Sequence, residues 1–136
     1  MDQAQTLDAL ELREGLEGLS PQLIRILYRR APLRRPVSDP QRLWTMFENA
    51  SLVVTAWKAG RLVGIARVLT DGVMYSYLCD LAVEPDVQGL GIGKRLMRHV
   101  QDRCEGTELV LRSTLGRFHK HEGLKAVEDA WVVDPR

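Results

Sequence analysis

A chain of 136 residues with 45% hydrophobic content can bury one substantial core and is too short for two, so residues 1–136 read as a single domain. The formal net charge of +1 gives no global argument for a nucleic-acid or membrane partner, and no apolar run is long enough to cross a bilayer. The opening stretch is acidic and polar, without the basic and apolar parts of a secretory signal, and a cytoplasmic protein is expected. Cys79 and Cys104 lack CxxC spacing, which argues against a metal site or a disulfide framework; both are expected as buried thiols.

In chain order, Leu10 to Arg13 alternates apolar and charged residues and suits a short edge strand. Ser20 followed by Pro21 is an N-cap with proline at the first helical position, and Leu23, Ile24, Leu27 and Tyr28 form one stripe of a helix that ends near Ala31 and Pro32. After the loop "LRRPVSDP", Asp39 caps a second helix with Leu43, Met46 and Phe47 facing inward, closed by Asn49 and Ala50. The period then changes. "SLVVTAW", "RLVGIARVLT" and "VMYSYLCDLAV", separated by "KAG" and "DG", predict an antiparallel meander that Pro85 stops. A helix bearing Ile92, Leu96, Val100 and Cys104 follows, then a strand at "ELVLR", a short helix around Phe118 to His121, and a closing strand at "AVEDAWVV". The class is α+β, a mostly antiparallel sheet covered by helices.

Between the third long strand and the helix lies "VEPDVQGLGIGKRLM", with Gly89, Gly91 and Gly93 at alternate positions. The dinucleotide fingerprint fails because Lys94 stands where the last small residue belongs and the preceding sheet is antiparallel. The P-loop fails because Gln88 occupies its first glycine position and Arg95 follows Lys94. What remains is a run of backbone N–H groups freed by glycine, leading into a helix N-terminus whose dipole attracts anions. Such a loop is suited to a pyrophosphate; the plainer alternative is a tight strand-to-helix turn without a ligand.

Gln88, Gly91 and Gly93, preceded by "DLAVEPDV", resemble the [Q/R]-x-x-G-x-[G/A] signature of the GCN5-related N-acetyltransferases (GNAT). The resemblance runs from about Leu10 to Val133: "LSPQLIRILYRRA" is similar to that family's first helix, "VVTAWKAGRLVGIARVLTDG" to its second and third strands, and "RFHKHEGLKAVEDAW" to its "FYxxxGF" helix and closing strand. It implies a mixed, twisted sheet that splays after the fourth strand, flanked by about four helices. It also implies that acetyl-CoA is the acetyl donor, its pantetheine arm paired with backbone at Leu81, Ala82 and Val83. The pyrophosphate would lie on N–H groups from Gln88 through Gly89, Leu90, Gly91, Ile92 and Gly93 to Lys94.

Thioester aminolysis sets the remaining requirements. An alkylamine is mostly protonated at neutral pH and must lose a proton, the tetrahedral oxyanion needs a donor, and the leaving thiolate must be stabilised. The N–H of Val83 suits the oxyanion. Asp80 interrupts an otherwise apolar strand and is the candidate for handling the amine; alternatively it faces the other way and bonds to a loop or basic side chain. His119 stands where the family usually has a tyrosine acid, and an imidazole can donate a proton near neutral pH, so His119 is the candidate acid, with His121 a distant second and Lys120 expected in solvent. Glu84 is expected to be solvated. Tyr28 and the loop after it are placed by the resemblance at the acceptor entrance.

Trp44, Trp57 and Trp131 are expected in packing roles, and Arg29, Arg30, Arg34 and Arg35 as a solvated helix end rather than an anion-attracting cluster. The leading function is acetyl transfer from acetyl-CoA to a primary amine of a small molecule, in a ternary complex and without a metal. The alternatives are a protein lysine or N-terminal acetyltransferase and a non-catalytic acetyl-CoA-binding module. A homodimer is compatible with each.

Overall fold

The computed structural model describes residues 9–31, 33–113 and 122–135. Strands β1 (Leu10–Glu14), β2 (Leu52–Lys58), β3 (Arg61–Thr70) and β4 (Tyr75–Val83) pair antiparallel in sequence order, and β5 (Glu108–Leu111) joins β4 in parallel. Helices α1 (Pro21–Arg30) and α2 (Pro40–Glu48) connect β1 to β2, and α3 (Ile92–Arg103) makes the crossover that a parallel β4–β5 pair requires. The α+β class with a mixed, mostly antiparallel sheet is the one expected from the sequence.

Local chemistry fixes the element ends. Ser20 Oγ accepts the Leu23 N–H at 3.2 Å and Asp39 Oδ1 accepts the Arg42 N–H at 3.2 Å, so both proline-led helices start on the expected caps. Strand β4 begins at Tyr75 rather than Val73, because Asp71 Oδ1 gathers the N–H groups of Val73, Met74 and Tyr75 at 2.8, 2.8 and 3.1 Å and wraps them into the turn.

The sheet has a core on each face. Val54, Ala66, Val68 and Leu78 pack under Ile92, Leu96, Met97 and Val100 of α3. Val53, Trp57, Ile65 and Ala82 pack against Ile24, Leu27 and Tyr28 of α1 and Leu43 and Phe47 of α2. A bulge in β4 decides which face receives what. Arg67 pairs with Asp80 but Val68 pairs with Leu78, leaving Cys79 as the extra residue. Leu78 therefore faces α3, whereas Asp80 and Ala82 face α1 and α2. Strand β5 pairs with β4 only from Tyr75 to Leu78, so among the described residues the edge from Cys79 to Val83 has no partner on that side. This is the splay.

Three expectations need correction. Residues 126–133 form no strand: Glu128 and Asp129 break the apolar alternation, and among the described residues no strand pairs with this segment. Trp131 is consequently 96% exposed rather than packed, while Trp57 is buried as expected. Cys104 is buried but Cys79, the bulge residue, is only partly so. The helix expected at Phe118 to His121 lies outside the described residues.

Gly64 lets α3 lie close on β3. A Cβ there would meet Leu96 Cδ1 at 2.9 Å, Ile92 Cγ2 at 3.3 Å and Ala56 Cβ at 3.4 Å. Gly64→Val, which adds two methyl groups beyond that Cβ, is expected to lift the first turns of α3 and cost about 1–3 kcal/mol of stability. Urea unfolding measures this, and a variant of unchanged stability would mean that α3 does not rest on β3 as described.

Candidate active site at the open edge of β4

In an antiparallel ladder successive residues point their backbone groups to alternate sides. Glu84 donates its N–H to the Val63 carbonyl at 2.8 Å, so Glu84 and Ala82 turn towards β3 while Leu81 and Val83 turn towards the open edge. Of the three residues expected to offer backbone to a ligand, Leu81 and Val83 face the splay and Ala82 is committed to the sheet. The outward carbonyl of Val83 accepts Gln88 Nε2 at 3.1 Å. The Val83 N–H points the same way.

Beyond β4 the chain makes a tight turn at Pro85–Val87, in which the Val87 N–H bonds to Glu84 and the Gln88 N–H to Pro85 at 3.3 Å. Gln88 is thus a loop fastener by both its backbone and its side chain. Gly89 and Gly91 hold φ of +90° and +82°, the left-handed region that glycine enters without strain; Gly93 is an ordinary residue of α3. No side chain caps α3, whose first helical bond runs from Arg95 N–H to the Gly91 carbonyl at 3.0 Å. The donors ahead of it, from Gly89 to Lys94, have no backbone partner among the described residues. A Cβ at Gly89 or Gly91 would meet nothing within 4 Å, so the loop is open above. Leu90 packs against the α3-side core and Lys94 lies 4.0 Å from Glu122 Oε2.

The other face of β4 carries a buried ionic cluster. Asp80, 2% exposed, accepts at Oδ2 from the Tyr28 hydroxyl (2.8 Å) and Arg67 Nε (2.7 Å), and at Oδ1 from Arg35 Nε (2.7 Å) and Arg67 Nη2 (3.2 Å). Four hydrogen bonds fill the roughly four lone-pair sites of a carboxylate. Of the two readings of Asp80 drawn from the sequence, the geometry is that of the second in its contacts: the carboxylate bonds to basic side chains, with no acceptor left for an amine. Tyr28 is likewise not an entrance residue here, being 1% exposed with its hydroxyl spent on Asp80. Arg35 also donates to the Cys79 carbonyl at 2.8 Å, which ties the bulge to the loop after α1.

Glu84, expected in solvent, is buried and paired: Arg30 Nε donates to its Oε1, and Arg61 Nη2 lies 3.6 Å from the same atom and 3.1 Å from Asp86. Two members of the arginine cluster, Arg30 and Arg35, therefore reach back to β4 acids instead of forming a solvated helix end. Arg67 escaped the sequence reading altogether. Its signal was the interruption of the apolar run "RLVGIARVLT" by a cation, matched one strand later by Asp80 in "YLCDLAV". His119 lies outside the described residues.

Burial and the neighbouring Asp80 charge hold the Tyr28 phenol well above its ordinary value of about 10. Burial pushes the Cys79 thiol up, so it stays protonated at neutral pH. For Tyr28 the sign is definite. Below about pH 10 the phenol is protonated in both states; above it the unfolded chain loses the proton first and binds fewer than the folded one, so stability falls as pH rises towards the folded value. Ultraviolet titration is expected to show the Tyr28 phenolate only as the fold is lost, and Tyr28→Phe to remove that signal and flatten the alkaline loss of stability. Ionisation of Tyr28 in a protein that keeps its circular dichroism would contradict the buried bond.

A family model described as an acetyltransferase (GNAT) domain matches residues 20–125. An uncharacterized N-acetyltransferase ycf52-like protein of Prochlorococcus marinus is 33% identical over 143 residues, covering 98% of this chain and 68% of that protein. Rice serotonin N-acetyltransferase 2, a chloroplastic protein of Oryza sativa subsp. japonica, is 37% identical over 68 residues, or 50% of this chain and 31% of the relative. Among solved structures, the aminoglycoside N-acetyltransferase AAC(6')-Iy in complex with CoA shares the fold with a TM-score of 0.69 at 16% identity, covering 93% of this chain and 95% of that one. The glycine loop and the open β4 edge thus stand in a recognisable setting, and the chain belongs to the GNAT family of N-acetyltransferases.

Proposed function

We propose that this protein transfers an acetyl group from acetyl-CoA to a primary amine of a small molecule by direct attack in a ternary complex. The observation that carries the reading is the continuity of the open β4 edge at Leu81 and Val83 with the uncapped start of α3. An extended pantetheine arm adds to that edge as a strand would, and the pyrophosphate takes the N–H groups from Gly89 to Lys94, where a helix N-terminus contributes roughly 0.3–1 kcal/mol, up to about 2 when sheltered. The rice relative, named for a small arylalkylamine, supports a small-molecule acceptor.

On this reading the Val83 N–H donates to the oxyanion, and the amine approaches from the α1–α2 side, since the phosphates occupy the α3 side. Asp80 is a positioning residue: it holds β4 against Arg67 and Arg35. The CoA thiolate takes its proton from His119, an assignment carried by the sequence alone.

Gly91→Asp places a negative side chain at the N-cap in a left-handed backbone, and acetyl-CoA affinity measured by calorimetry is expected to fall about tenfold or more in a folded variant. Unchanged affinity would remove the loop from the cofactor site. For the chemistry, turnover is measured on arylalkylamines, polyamines and peptides. Activity confined to peptides would replace the small-molecule reading with a protein acetyltransferase, and acetyl-CoA binding without any turnover would leave a binding module. His119→Ala is expected to lower kcat about 100- to 10,000-fold with little change in acetyl-CoA affinity. If that variant were fully active, the thiolate would leave without this acid.

A further inference from the structure

From Pro21 to Ser38 the chain carries five arginines, Arg25, Arg29, Arg30, Arg34 and Arg35, and no acidic residue. Ala31, Leu33 and Val37 pack against the core on the α1–α2 side, so the loop after α1 lies on that side of the sheet. Arg35 fixes the loop at the bulge: its Nη1 donates to the Arg34 carbonyl and its Nη2 to the Cys79 carbonyl, each at 2.8 Å. One guanidinium therefore joins the Arg34 backbone to the residue where the β4 edge opens.

The cations of this segment are not all consumed. Arg30 pairs with Glu84 and Arg35 with Asp80, but Arg34 is exposed and no acid among the described residues pairs with it. The carboxylates nearby are already held, Asp80 by Arg67 and Arg35, Glu84 by Arg30 and Arg61, and Asp86 by Arg61. A carboxylate or phosphate brought to the loop thus meets an unclaimed guanidinium, whose planar fork suits either anion. A bare ammonium meets repulsion from the same field. The cofactor does not account for this charge, because its phosphates are assigned to the uncapped start of α3, and α3 packs on the opposite face.

We propose that the acceptor is an amine that also carries an anionic group, a carboxylate or a phosphate, and that Arg34 is the residue that selects it. The inference rests on the acetyl-transfer reading above and specifies its substrate class. The anion pairs with Arg34 at the mouth of the site while the amine reaches the β4 edge beside the bulge. The negative group offsets the repulsion that the cationic face exerts on the ammonium, a compensation that a simple monoamine lacks.

The experiment compares kcat/KM within three matched pairs: phenylalanine against phenethylamine, 4-(2-aminoethyl)benzoate against its benzamide, and tyramine phosphate against tyramine. At low salt the anionic member of at least one pair is expected to be preferred about tenfold or more, and the pair that shows it distinguishes carboxylate from phosphate. Screening is expected to shrink that preference at high salt. Arg34→Glu is expected to abolish it, and Arg34→Gln to lower it about fivefold, which a general loss of activity would not do because the readout is a ratio within one variant. Arg34 is exposed, so circular dichroism of both variants is expected to match wild type; should Arg34→Glu misfold, Arg34→Gln decides. Turnover of all the amines without preference for an anion overturns the proposal and leaves the acetyl-transfer reading standing. So does a preference that neither salt nor the Arg34 variants change. Acetyl-CoA binding with no turnover of any amine overturns both.

Discussion

A single buried carboxylate holds this fold together around its site. Asp80 sits on the sheet face where α1 ends, and without partners its charge would cost several kcal/mol to bury. It recruits them from three separate parts of the chain: Arg67 from the neighbouring strand, Tyr28 from α1, and Arg35 from the loop that follows α1. Removing one partner from a buried pair of this kind typically costs about 3–5 kcal/mol, because the other charge stays behind. The geometry depends on the bulge at Cys79, which rotates Asp80 away from the face that Leu78 occupies; the Arg35 bond to the Cys79 carbonyl then fastens the bulge to the same cluster. The splay of β4 away from β5 begins at that residue, so the device that satisfies the charge also frees the edge.

A second acid repeats the arrangement at the far end of the strand. Glu84 holds Arg30 at the last turn of α1 and Arg61 in the β2–β3 turn, and its N–H closes the ladder on Val63. Strand β4 is therefore pinned on its α1–α2 side at both ends of the exposed edge. On the opposite side Gly64 allows α3 to settle onto β3, which sets the helix N-terminus beside that edge. The glycine loop between them needs left-handed backbone at Gly89 and Gly91, and Gln88 secures it by reaching back to Val83.

Much of this was legible in the sequence because it is written in local rules. Proline-led caps, the switch from a helical to a strand period, and the glycine loop each specify their own element. The face of Asp80 was not legible, since a single bulge inverts the alternation and nothing local announces it. The burial of Glu84 and the pairing of Arg30 and Arg35 depend on contacts some fifty residues apart along the chain, and a charged run on a helix end reads as solvated until its partners are known. Arg67 is the instructive omission. A cation inside an apolar strand needs a buried anion, and Asp80 one strand later was the available one. The closing strand expected at "AVEDAWVV" is the reverse case, in which Glu128 and Asp129 interrupt the alternation that its apolar residues suggest.

The charge distribution around β4 bears on the proposed chemistry. Arg30, Arg35, Arg61 and Arg67 gather on the α1–α2 side against Asp80, Glu84 and Asp86, so four cations face three carboxylates there. Asp80 is saturated, and the Tyr28 phenol stays protonated because burial and that same carboxylate raise its pKa. Each of these three acids is held by an arginine. An amine approaching from this side enters a field of excess positive charge, and like charge disfavours the ammonium form. The proposed acceptor would then shed its proton to water more readily on approach, and the demand on a dedicated protein base falls accordingly. If the donor is bound through backbone as proposed, a site that holds these acids in ion pairs leaves the acceptor to be selected by shape and by this potential rather than by a carboxylate that grips the amine.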